Sequence, residues 1–245
     1  MKTISIFLLL LASCNVANIE SSGANKTVKE MSPTEVNNYY TGIRNRLNAS
    51  RLQLAADLNN AKTLAEKKDV YMNARKLLVR TMIDSMFTCW YGTDWDFNGT
   101  TTKPQSGNIA CGYFVTTLIQ QAGFEIPRTK LAQCASSSMI DVLCPKKSIT
   151  IITQNNVAKV KEHLLAQPDG LFILGLDTHT GFIVKSGNKL EFVHSNYSFR
   201  NDDVTHEDFD KCSTIQNNNY FVIGNFSQSD TTIKNWLQGK TYVMN

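Results

Sequence analysis

Apolar residues recur at helical spacing through the first half of the chain. From about 33 to 60, Ile43, Leu47, Leu54 and Leu58 share one stripe. Ser32-Pro33-Thr34-Glu35 starts this helix: the Ser32 and Glu35 side chains can each bond the other's backbone N–H, and Pro33 sits where no N–H is needed. A second helix is expected from about 69 to 88, carrying Val70, Ala74, Leu77, Leu78, Met82, Ile83 and Met86. A third runs from Cys111 to Ala122, with Val115, Leu118 and Ile119 as its stripe and Gly123 as its stop. Two more are expected over 129–143 and 156–166. After Asp169-Gly170 the period changes. Leu171 to Leu176 reads as a buried strand, Thr180 to Lys185 as a second, Ser186-Gly187-Asn188 as a turn, Leu190 to His194 as a third strand and Tyr220 to Phe226 as a fourth. Helices first and an antiparallel sheet afterwards predict an α+β fold, and no internal repeat is visible.

The first residues follow a different pattern. Lys2 precedes an apolar run from Ile4 to Ala12 that is too short to span a bilayer but suits a signal peptide. Leu11-Ala12-Ser13-Cys14 resembles a bacterial lipobox, in which cleavage precedes a Cys that is then lipidated. Residues 1–13 are therefore read as a lipoprotein signal peptide, Cys14 as the lipidation site, and 14–31 as a polar tether to a membrane. This places the mature protein on the outer side of the cytoplasmic membrane, in the bacterial cell envelope.

The net charge of +4 gives no reason to expect a nucleic-acid partner. Residues 26–80 hold 11 basic and 5 acidic side chains, which would suit an anionic surface or simply a solvated face. Removing Cys14 from the count leaves Cys89, Cys111, Cys134, Cys144 and Cys212. The number is odd, so at least one thiol is expected to be free. Cys134 with Cys144 and Cys89 with Cys212 are the pairings considered, and either leaves Cys111 unpaired.

Cys111 follows a Gly-bearing loop and opens a predicted helix, where unpaired N–H groups and the helix dipole favour a thiolate. His179 stands at the start of a predicted strand, in Asp177-Thr178-His179-Thr180-Gly181-Phe182. An imidazole beside a thiol can take its proton and return it to a leaving amine. His194, fifteen residues on and across a hairpin, can orient the His179 ring and fix its tautomer. Asp177 and His163 are read as solvated side chains. The acidic segment Asp202 to Asp210, with His206 inside it, lacks the spacing of a calcium loop, and no metal or cofactor is expected.

These segments resemble the NlpC/P60 family of papain-like cysteine peptidases. Ala110-Cys111-Gly112-Tyr113 matches its nucleophile segment, His179-Thr180-Gly181-Phe182-Ile183 its base segment, and His194-Ser195 its third position. Tyr91-Gly92-Thr93 stands where the family has a Tyr-bearing loop. Ala110 and Gly112 replace the family's Asp and Ser, so the chain is a divergent match over residues 85 to 226. The resemblance implies a Cys-bearing helix packed on an antiparallel sheet, in a catalytic domain from 85 to 245 after a helical region at 32–84. It implies Cys111 as nucleophile, His179 as base and acid, and His194 as orienter. Tyr91, Gly112 and Trp95 become substrate-binding candidates, with the backbone N–H of Cys111 in the oxyanion site. The implied activity is amide cleavage in peptidoglycan stem peptides by a monomer. A binding lipoprotein on the same fold and a thiol acyltransferase are the alternatives.

Overall fold

The computed structural model describes residues 27–197 and 202–244. The expected signal peptide, the Cys14 lipidation site and the first part of the tether lie outside the described residues. The α+β expectation holds.

Helix α1 (Pro33–Asn60) begins where the sequence sets it. The Ser32 hydroxyl accepts from the Glu35 N–H, and the Glu35 carboxylate accepts from the Ser32 N–H at 2.7 Å. Val36, Tyr40, Ile43 and Leu47 form its buried stripe. Helix α2 (Leu64–Thr81) begins on the same kind of cap, between Thr63 and Glu66. It runs through a π-turn at Met82–Met86 into α3 (Phe87–Trp90), where Met82, Met86, Phe87, Cys89 and Trp90 are all buried. The boundary expected at 84–85 thus falls inside an unbroken helical stretch. Side chains from both sides of it join one hydrophobic core with α4 (Cys111–Gln121).

Helices α5 (Arg128–Ala132) and α6 (Ser136–Leu143) replace the single helix expected over 129–143. The break lies at Gln133 to Ala135, with Ala135 in an extended conformation ahead of the second helix. Strand β1 (Ile149–Thr153) and helix α7 (Val157–Leu165) follow. The rest of the sheet comprises β2 (Gly170–Gly175), β3 (Thr180–Ser186), β4 (Lys189–Ser195), β5 (Val204–Asp208) and β6 (Tyr220–Asn225). Helix α8 (Ser213–Gln216) precedes β6, and α9 (Asp230–Leu237) comes last.

The six strands lie in the order β1-β6-β2-β3-β4-β5, every neighbouring pair antiparallel. On one face α4 packs against β3, with Phe114 edge-on to Phe182 at 6.1 Å. On the other, Phe172, Leu174, Ile183 and Phe192 form a second core with Val160 and Leu164 of α7 and Ile215 of α8. Helix α9 returns to the first core, where the Trp236 indole N–H donates to the Ala122 carbonyl at 2.8 Å.

The considered disulfides do not form: all five described cysteines are free. Cys89 is buried in the helical core, whereas Cys212 is buried in the second core on the opposite side of the sheet. Cys144 is packed against Gly224 of β6, while the Cys134 thiol donates to the Leu131 carbonyl. No described helix is long and apolar enough to cross a membrane.

Candidate functional site

Three local arrangements bring the candidate residues to one end of the β3–β4 hairpin, but among the described residues no contact joins Cys111 to His179. Cys111 opens α4 on the first-core face of the sheet, whereas His194, which holds His179, lies with Phe192 on the second-core face. Cys111 is the first residue of α4, after extended Ala110. Its half-buried thiol is met by the backbone N–H groups of Thr180, Gly112 and Cys111 itself. Thr180 is the first residue of β3, directly after His179. From the other strand, the Ser195 hydroxyl donates to the Ile109 carbonyl at 2.6 Å, tying the residue after His194 to the approach of α4. The loop carrying Ile109 is held in turn by the Ile109 N–H, which donates to the Asp94 carbonyl.

The two histidines meet directly. His179 Nε2 lies 2.8 Å from His194 Nδ1, with the rings almost perpendicular at 84°. Both are buried, and Phe192 stacks on His194 at 4.3 Å between centroids. Gly181 makes this approach possible, because a Cβ there would come within 2.8 Å of both the Phe192 ring and the His194 Cβ. The outer nitrogen of His194, Nε2, lies 2.8 Å from Glu207 Oε2 on β5. The Cys212 thiol donates to the same oxygen at 3.3 Å. His179 Nδ1 is buried and has no hydrogen-bond partner among the described residues.

Burial dominates the electrostatics. It holds His179 well below its ordinary value, reinforced by the neighbouring His194. It also lowers His194, although the hydrogen bond and charge of Glu207 pull the other way. Glu207 is lowered, chiefly by the His194 hydrogen bond, and so stays ionised. The Cys111 thiol is raised, because burial outweighs the three N–H groups that favour a thiolate. The sequence reading weighed only those N–H groups and the helix dipole, and therefore expected the opposite direction.

The proposed substrate-contact residues lie less close together. Gly112 is buried against the Ala132 carbonyl, so its missing side chain serves the packing of α4 on α5. The Tyr91 ring packs on His206 at 4.9 Å, and burial with the nearby Glu191 pushes its phenol up to about 12. Successive strand residues face opposite sides, so Tyr91 covers the face of β5 opposite to Glu207. Trp95 is half-buried and lies 5.9 Å from Tyr197, whose ring is edge-on to His179 at 5.2 Å. Tyr197 and Glu207 were missed by the sequence reading. Glu207 had a signal available, since it neighbours His206 in an acidic segment that the sequence reading weighed only as a cation site.

His194, Glu207 and Cys212 each offer a ligand atom within 4.8 Å of the others. A soft divalent ion there would have to displace the hydrogens that now join these groups. Compared with protein-family models, curated proteins and solved structures, the chain matches none.

Proposed function

We propose that this chain is a cysteine-dependent amide hydrolase of the papain-like, NlpC/P60 type. The observation that carries this reading is the buried His179–His194 pair. It leaves His179 Nδ1 unpartnered, one residue before Thr180, whose N–H reaches the Cys111 sulfur. A Cys-bearing helix packed on an antiparallel sheet supports the same assignment.

The chemistry follows from these groups. His179 Nδ1 takes the proton from the Cys111 thiol as the sulfur attacks an amide carbonyl. The developing oxyanion is met by backbone N–H groups at the start of α4, with the Cys111 N–H as the primary donor. His179 then gives its proton to the leaving amine. Water, losing a proton to the same nitrogen, releases the acyl group from sulfur and restores the thiol. His194 holds the His179 ring in place throughout. Trp95 and Tyr197, whose rings run on to His179, would flank the substrate. The substrate is a peptide, and with the lipobox-like Cys14 it is a stem peptide of the cell wall, reached from a membrane anchor.

Cys111→Ala and His179→Ala are each expected to abolish release of amines from stem-peptide substrates while leaving the circular dichroism spectrum unchanged. Full cleavage in both variants would refute the catalytic assignment. A second reading, a binding protein on the same fold, is favoured by the raised Cys111 thiol. It predicts that wild-type protein and Cys111→Ala hold the same peptide equally well and that neither cuts it.

A further inference from the structure

Glu207 lies beyond the three residues of the proposed reaction, yet it ends the hydrogen-bond chain that begins at His179. We infer that Glu207 is a positioning residue: its carboxylate sets the tautomer of both histidines and so leaves the lone pair of His179 Nδ1 free to act as the base. This rests on the reading of His179 as base.

Donors and acceptors along this chain, with both rings neutral, decide the tautomers. Heavy-atom positions do not show which ring nitrogen carries hydrogen. An ionised carboxylate accepts and cannot donate. Glu207 Oε2 lies 2.8 Å from His194 Nε2, so that nitrogen carries the hydrogen. A neutral ring has one hydrogen, and His194 is buried and disfavoured as a cation despite Glu207. His194 Nδ1 is therefore bare and accepts. Its partner at 2.8 Å, His179 Nε2, must then donate. His179 is neutral too, so its remaining nitrogen, Nδ1, is bare. That is the buried nitrogen with no partner. With the carboxylate removed, the opposite arrangement becomes competitive: His194 Nδ1–H donates to His179 Nε2, and His179 Nδ1 carries hydrogen and is no base.

The rest of the site holds Glu207 in this role. Oε2 also accepts from the buried Cys212 thiol at 3.3 Å, a second contact that holds the carboxylate beside the ring. Cys212 is pushed up to about 12 by burial and by Glu207, so it remains a thiol and a donor. Glu207 and Phe192 are paired across β4 and β5, which places the carboxylate beside the strand end that carries His194.

The test is nitrogen-15 NMR of imidazole-labelled protein at pH 7.5, with Glu207→Gln and Glu207→Ala beside the wild type. In the wild type both rings are expected as Nε2–H tautomers, with unprotonated Nδ1. In the variants both rings shift together toward a mixture, and Cys111 alkylation slows by about tenfold or more. A wild-type His194 with bare Nε2, or with a metal ion on it, overturns the proposal without any variant. Unchanged tautomers in folded Glu207→Gln and Glu207→Ala also overturn it. The tautomer readout does not involve substrate, so failure of the hydrolase reading shows separately, as amide cleavage that survives in Cys111→Ala.

Discussion

His179 and His194 are buried imidazoles joined to each other, and His194 in turn to a carboxylate. Keeping them neutral has a consequence for stability. Both sit below the ordinary value of 6.5, so between that value and their folded values the unfolded chain binds more protons than the folded one. Folding stability must therefore fall as pH is lowered through 6.5. Glu207 adds a loss at still lower pH, because its depressed carboxylate stabilises the fold above its unfolded value and loses that contribution on protonation. The groups around these rings, Glu207 and Asp203 on and beside β5, favour the charged form of His194 but do not reverse the net direction. Urea midpoints are expected to drop between pH 7.5 and 5.5 in the wild type, and to drop less in His179→Gln. An identical drop in both would mean that His179 does not titrate on unfolding.

At the scale of elements, the hairpin formed by β3 and β4 carries the site, and its sequence was readable. Thr180 to Lys185 and Leu190 to His194 are buried almost throughout, and the Ser186-Gly187-Asn188 turn between them sets the register that brings His194 beside His179. The role of Gly181 was not readable, because it depends on where the Phe192 and His194 side chains lie across the strand gap. Gly181→Ala is expected to cost roughly 1–3 kcal/mol by overpacking and to lower amide cleavage by displacing His194. Urea unfolding alongside a cleavage assay checks both, and wild-type values of the two would contradict the packing argument. Strand β5 escaped the sequence reading for a physical reason. Val204-Thr205-His206-Glu207-Asp208 is an edge strand with only Val204 buried, so its polar residues resemble a loop. Strand β1 is the converse: Ile149-Thr150-Ile151-Ile152-Thr153 is β-branched throughout and carried a strand signal that went unread. Helix α9 is signalled mainly by the Ser229 cap on Thr232 N–H, a short local cue before a helix of eight residues.

At the scale of the molecule, the N-terminal helices share one hydrophobic core with the elements that carry the candidate site. Tyr40 of α1 meets Trp90 of α3, Trp90 meets Phe114 of α4, and Phe114 meets Phe182 of β3, each at 6.1 Å. The helical stripes were legible because each helix buries one face. Their sharing of a core with α4 was not, since periodicity shows which face is apolar and not what covers it. The same limit applies to the site. Cys111, His179 and His194 stood out by chemistry and spacing, whereas Glu207 and Tyr197 depend on which strand lies beside which.

The central claim is that Cys111 and His179 act together. It is tested most directly by the pH dependence of Cys111 alkylation, followed by mass spectrometry, in protein beginning at Asn15 and in its His179→Ala variant. With His179 as base, the wild-type thiol should react at least about tenfold faster than the variant at pH 7, and should keep that advantage to a pH well below 6.5, because burial holds the imidazole unprotonated until then. In the variant, the rate should rise only toward alkaline pH, as for a buried thiol without a base. Equal rates and equal pH profiles in the two proteins would contradict the account and leave Cys111 as a structural cysteine.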